Sequence, residues 1–223
     1  MNKPRLNTGI VGFGLSGKVF HAPFLDALEG FNLASVVERH SKHSREQYPA
    51  VKVVGDYEEM LADNSLDLVV ICTPNTLHFS MVKAGLEAGK HVVIEKPFVP
   101  TYREAEELIR IAEKNERKLF VYHNRRGDGD FLTIQKLVKQ DILGEVVEYI
   151  THFDRYRPEM PGNAWRDQDK PGGGIVYDLG SHLIDQALVL FGMPKAVFAD
   201  IKAQRPGSEV DDYFHIHLYY PGK

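Results

Sequence analysis

Gly12-Phe13-Gly14-Leu15-Ser16-Gly17 is the stretch on which the reading of the fold turns. It follows an apolar run, Leu6–Val11, that reads as a strand, and it opens a segment, Ser16–Leu28, that reads as a helix. Glycines at this spacing have separate jobs. The first permits a tight turn, the second lets the backbone come close to a pyrophosphate, and the third lets the helix pack against the strand. The helix that starts there also presents unpaired N–H groups and the positive end of its dipole to an anion. A glycine-rich turn with no ligand shows the same three residues, so the surrounding chain has to decide.

Outward from the motif, short Val- and Ile-rich runs alternate with amphipathic segments as far as Tyr122. Further strands are expected at Phe31–Val37, Val51–Val54, Leu66–Ile71, His91–Ile94 and Leu119–Tyr122. Helices are expected at Ser41–Tyr48, Tyr57–Ala62, His78–Ala88 and Tyr102–Asn115, the last opened by Thr101 with Glu104 in a capping-box pattern. Strands separated by helices at this spacing predict an α/β domain over residues 1–122, a Rossmann-type doubly wound parallel sheet.

The pattern changes after residue 122. A helix at Asp130–Lys139 is followed by a strand at Glu145–Asp154, a Pro- and Gly-rich loop to Gly174, and a long helix at Ile175–Phe191. Strands at Val197–Gln204 and Asp212–Tyr220 alternate with period two; Phe214, Ile216, Leu218 and Tyr220 share one face, Tyr213, His215, His217 and Tyr219 the other. Residues 123–223 are therefore expected to form an α+β domain with a mainly antiparallel sheet, whose aromatic face suits packing on another subunit in a homo-oligomer.

Composition narrows the functional classes. The chain has 223 residues, 43% hydrophobic and 26% charged, a globular balance long enough for a buried core. A net charge of -4 gives no reason to expect nucleic acid as a partner. The single cysteine, Cys72, suits a reducing compartment. No apolar run approaches the roughly 18–20 residues of a membrane span, and the expectation is a cytoplasmic protein with no membrane partner.

Candidate chemistry gathers in three places. Glu38 ends the second expected strand, where a carboxylate bonds the adenosine ribose hydroxyls; Arg39, Ser41 and Lys42 follow and suit a 2′-phosphate, so NAD and NADP both stay open. Thr73-Pro74-Asn75-Thr76 and Glu95-Lys96-Pro97 follow the fourth and fifth strands at the edge where ligands bind. A partly desolvated Lys96 there can exchange a proton with a hydroxyl, although an exposed loop lysine would occupy the same sequence position. On the long C-terminal helix, Asp178, His182 and Asp185 fall within about 40° on a regular helical wheel. A carboxylate one turn from an imidazole prepares it as an acid or base, whereas a solvent-facing polar stripe would look alike. Gly172-Gly173-Gly174 before that helix suits close approach of a ligand. His215 and His217 share one strand face and with His152 could suggest a metal, but no cysteine or carboxylate falls at a recognisable ligand spacing and hydride transfer needs none, so no metal is expected.

These segments together resemble the Gfo/Idh/MocA oxidoreductase family, named after glucose-fructose oxidoreductase and inositol dehydrogenase. The resemblance rests on Gly12–Gly17 with Phe20-His21-Ala22-Pro23, on Cys72–His78, on Gly89–Pro97 and on Gly172–Asp185, and covers essentially the whole chain. The Gly-Phe-Gly-Leu-Ser-Gly start is similar to the scyllo-inositol dehydrogenase-like branch. The resemblance implies hydride transfer between nicotinamide and a sugar, inositol or related polyol, with Lys96, Asp178 and His182 catalytic and His182 accepting the hydroxyl proton. NAD or NADP would be held by Gly12, Phe13, Gly14, Leu15, Ser16, Gly17, Glu38, Arg39, Thr73, Pro74, Asn75, His78, Glu95, Lys96 and Asn124. The second domain would bind substrate, with Arg126, Tyr156, Trp165 and Arg166 in contact with it. A non-catalytic dinucleotide sensor and an NAD-dependent glycosidase-like enzyme are the alternatives within the resemblance. Two departures stand out: Gly127 occupies a position where relatives tend to carry tryptophan, and the C-terminal domain is expected to be shortened.

Overall fold

The computed structural model describes residues 4–40, 42–159 and 171–222. The chain divides into two compact units, residues 1–122 and 123–223.

In the first unit, strands β1 (Leu6–Val11), β2 (Phe31–Val37), β3 (Lys52–Val54), β4 (Leu68–Ile71), β5 (His91–Glu95) and β6 (Leu119–Tyr122) form one sheet in the order β3-β2-β1-β4-β5-β6. Every neighbouring pair is parallel. The order reverses between β1 and β4, and the crevice at such a switch point is where these sheets bind ligands. Both faces of the sheet carry a core. Val69, Ile71, Val92 and Ile94 pack with Val82, Leu86, Leu108 and Ala112 on one side. Ile10, Val36 and Val70 pack with Ala22, Leu25 and Val51 on the other. Burial on both faces explains why these strands read as continuous apolar runs.

The connecting helices are α1 (Ala22–Ala27), α2 (His43–Gln47), α3 (Tyr57–Leu61), α4 (His78–Glu87) and α5 (Tyr102–Lys114). The capping box at α5 is formed: the Glu104 N–H donates to Thr101 Oγ1 and the Thr101 N–H donates to Glu104 Oε2. The helix expected over Ser16–Leu28 is in two parts. Ser16–His21 winds as a π-turn and α1 then begins with Pro23 in its first turn, since proline removes the N–H that a continuous helix would need.

The second unit holds α6 (Gly129–Lys139), a π-turn at Val176–Gly180 that runs into α7 (Ser181–Phe191), and the antiparallel pair β7 (Ala196–Lys202) and β8 (Tyr213–Tyr219). The alternation read for β8 is present from Phe214 onward: Phe214, Ile216, Leu218 and Tyr220 are half-buried and His215, His217 and Tyr219 exposed, whereas Tyr213, expected on the exposed face, is half-buried too. Asp212 closes the hairpin by accepting from the N–H groups of Gln204 and Arg205 and from Arg205 Nε at 2.8 Å.

One expectation fails. Glu145–Asp154 forms no strand. Alternation is a side-chain pattern, but a strand also needs a neighbour for its N–H and C=O groups. β7 and β8 bond to each other, and among the described residues nothing pairs with 145–154. Val147 and Ile150 are each 73% exposed as a result. No helix among the described residues is long and apolar enough to cross a membrane.

Candidate active site

The glycine-rich turn has the geometry its sequence requires. Gly12 takes φ +93°, a conformation that side chains disfavour. A Cβ on Gly17 would lie 2.3 Å from the Gly12 carbonyl oxygen, so the third glycine is filled by the turn's own backbone. A Cβ on Gly14 would meet nothing within 4 Å. The turn is thus closed beneath and open above its middle glycine, which leaves space for a pyrophosphate to approach the backbone. Ser16 is half-buried and Leu15 exposed at the same edge, while the Phe13 ring stands edge-on to Tyr48 at 6.3 Å.

Glu38 follows β2 directly, and its Oε2 accepts from the Ser44 N–H at 3.0 Å and from the Ser44 hydroxyl. The carboxylate that was expected to meet the ribose is therefore held in place by the start of α2. Arg39 is exposed, and Ser41 lies outside the described residues.

At the ends of β4 and β5 the structure sorts the expected contacts into surface and support. Pro74 is exposed and Thr73 half-buried. Asn75 and His78 are buried, at 3% and 1% exposure. His78 Nδ1 lies 2.9 Å from the carbonyl oxygens of Pro97 and Phe98, and its Nε2 lies 2.9 Å from that of Thr73. This corrects its expected role: His78 sits beneath the two loops and joins them, instead of facing a ligand.

Glu95 is the centre of a network. Its Oε1 accepts from the Ser16 hydroxyl and lies 2.8 Å from His21 Nε2, and its Oε2 accepts from the Lys96 N–H at 3.2 Å. Burial alone would raise the Glu95 carboxyl, but the hydrogen bonds from His21 and Ser16, the His21 charge and the Lys96 N–H outweigh it and hold the group below its usual range. His21 is the residue that sequence reasoning left without a role. It stands four residues after Gly17, inside the motif's own helical turn, and is 5% exposed, but the partner that gives it a role lies 74 residues away.

A pH dependence follows. A carboxylate whose folded pKa is depressed stabilises the fold fully above its unfolded value, about 4.3, and that contribution is lost as pH falls through the folded value. Acid titration followed by circular dichroism should show Glu95→Gln unfolding less steeply below about pH 4 than the wild type. Parallel acid limbs for the two would refute the assignment.

In the second unit, the long helix opens with a π-turn at Val176–Gly180, wider than an α-turn, while His182 and Asp185 lie together in the regular helix α7. Asp185 accepts from Arg126 Nε at 2.8 Å and Nη2 at 2.6 Å, and His123 Nε2 lies 3.8 Å from it. Asp185 therefore anchors the turn at Asn124–Gly127 and is corrected as an orienting partner of His182; Arg126, expected at substrate, is engaged in this pair. His182 is 6% exposed, which removes the alternative of a solvent-facing stripe, and Asp178 is half-buried one turn before it. Gly174, at φ +85°, lies against Asp211, whose carboxylate accepts from the Val176 N–H at 2.8 Å and so fixes the start of the turn. Asn124 is half-buried, Gly127 exposed, and Tyr156 91% exposed; Trp165 and Arg166 lie outside the described residues.

With this geometry in place, comparison with known proteins decides the family. A sequence profile described as oxidoreductase family, NAD-binding Rossmann fold, matches residues 6–123, and one described as GFO/IDH/MocA C-terminal domain matches residues 131–223. The chain belongs to the Gfo/Idh/MocA oxidoreductase family. An uncharacterized oxidoreductase of Schizosaccharomyces pombe is 48% identical over 99% of this chain and 62% of its own length. The scyllo-inositol 2-dehydrogenase (NADP(+)) of Bacillus subtilis is 45% identical over 96% of this chain and 60% of its own. The solved structure of the Bacillus subtilis protein yvaA matches with a TM-score of 0.93 at 43% identity, covering 98% of this chain and 62% of that one. The chain thus spans 60–62% of the length of these Gfo/Idh/MocA relatives. The nucleotide of such a first unit is NAD or NADP, and the turn at Gly12–Gly17, open above Gly14, fits it.

Proposed function

We propose that this chain belongs to an NAD(P)-dependent dehydrogenase or reductase that transfers a hydride between nicotinamide and a carbon bearing a hydroxyl group on an inositol, sugar or related polyol. The observation that carries the reading is the Gly12–Gly17 turn, closed by its own backbone at Gly17 and open at Gly14, in a chain that carries Lys96, Asp178 and His182. The 45% identity to a scyllo-inositol 2-dehydrogenase supports the substrate class, as does 29% identity to a D-glucoside 3-dehydrogenase of Escherichia coli.

Bound, the nicotinamide supplies the hydride acceptor for oxidation. The chain's residues do the rest. Lys96 hydrogen-bonds the reacting hydroxyl, which favours the developing alkoxide over the alcohol. His182 Nε2 takes the hydroxyl proton, and Asp178 orients the substrate. Glu95, held by Ser16 and His21, fixes the backbone from which Lys96 projects.

The test is to incubate the protein with NAD+ or NADP+ and a panel of inositols, sugars and simple polyols, following nicotinamide absorbance. Reduction that depends on a cyclitol or sugar is the expected result. Tight NADH or NADPH binding with no turnover on any member would overturn the reading in favour of a dinucleotide sensor, and release of an aglycone from a glycoside would overturn it in favour of a glycosidase-like enzyme.

A further inference from the structure

His21, Cys72 and Glu95 come from three separate elements of the first unit: the end of the π-turn after Gly17, the residue after β4, and the last residue of β5. Their Nε2, Sγ and carboxylate oxygen all lie within 4.8 Å of one another. The hydride reaction gives Cys72 no part. We propose that these side chains form a three-ligand site for a thiophilic divalent cation of the Zn2+ class.

Three physical arguments carry it. The ligand set is chemically selective. Imidazole and thiolate suit Zn2+, whereas Mg2+ and Ca2+ require six or more oxygen ligands that a single carboxylate and the nearby Ser16 hydroxyl do not provide. The charge balances: one thiolate and one carboxylate cancel a divalent ion, so the loaded site adds no net charge to a mostly buried pocket. The distances are close to those required. Ligands at about 2.0–2.3 Å from a tetrahedral ion stand roughly 3.3–3.8 Å apart. Loading therefore opens the 2.8 Å His21–Glu95 pair slightly and draws Cys72 inward by about an ångström or less.

The surroundings support the first ligands. The Tyr122 ring lies 4.3 Å from that of His21 and limits its rotation, and Ser16 holds the carboxylate. Burial, and then the Glu95 charge, push the Cys72 thiol up, so it is protonated without metal. The ion displaces that thiol proton to solvent and forms the metal–sulfur bond; the Nε2 proton that faces Glu95 is also given up, to solvent or to Nδ1, so that His21 offers the Nε2 lone pair with Nδ1 protonated. The fourth position is left for water.

The test does not depend on the oxidoreductase reading. Co2+ is titrated into the reduced protein and its absorption recorded. Because the chain has one cysteine, a near-ultraviolet thiolate-to-cobalt band can arise only at Cys72. The expected result is that band at one equivalent, with the visible bands of four-coordinate cobalt, bleached by Zn2+. Cys72→Ser should abolish the band, and His21→Gln should weaken Co2+ binding at least tenfold, with both variants retaining wild-type far-ultraviolet circular dichroism and NADPH binding in the Cys72→Ser case. Absence of the thiolate band in the wild type would overturn the proposal, as would unchanged Co2+ affinity in folded His21→Gln.

Discussion

Gly17→Ala is expected to deprive this chain of its dinucleotide and of part of its stability together. The added Cβ would lie 2.3 Å from the Gly12 carbonyl oxygen and 3.3 Å from Ile10 Cγ2. The nearer neighbour is backbone and has no rotamer to adopt, so the π-turn must move off β1 as a body. Overpacking of this kind costs about 1–3 kcal/mol. Displacing the N–H groups that meet the pyrophosphate should weaken NADPH binding by roughly 100-fold, about 2.8 kcal/mol. Gly14→Ala is the control that separates the two effects, because its Cβ meets nothing in the protein. That variant should unfold like the wild type while binding NADPH poorly, the methyl group occupying space the phosphates need. Fluorescence titration and urea unfolding measure both quantities. Wild-type NADPH affinity in Gly14→Ala would remove the turn from the cofactor site.

The second large effect is expected at His182. Removing a general base lowers kcat by about 10²–10⁴. His182→Ala should therefore lose nearly all of the proposed polyol oxidation while binding NADPH as the wild type does, since the glycine turn belongs to the first unit. His182 is 6% exposed, so truncation also leaves a cavity and lowers stability by about 1–3 kcal/mol. His182→Gln restores most of the volume and still lacks a base. Similar kcat loss in both variants identifies the chemistry, whereas recovery in His182→Gln would make the residue structural.

How far these features could be read from residues alone differs between the units. Strands of the first unit are buried on both faces and announce themselves as apolar runs, and glycines with backbone against their Cβ positions have no substitute, so both were legible. Glu145–Asp154 was misread because alternation records which side chains face inward and says nothing about whether a neighbouring strand exists. Asp185 was misread because a helical wheel shows which residues share a face and says nothing about what lies opposite them. The engagement of Asp185 by Arg126 spans 59 residues, beyond the reach of any local pattern. His21 was overlooked for the same reason: its partner, Glu95, is 74 residues away.

The buried imidazole of His78 has one more consequence. Because it grips carbonyls on both strand-end segments, Thr73 on one side and Pro97 with Phe98 on the other, thermal fluctuation of either segment is shared by its neighbour. A molecule that stills one rim stills both. The ordering entropy is then lost a single time, and whatever binds second meets a surface already quiet.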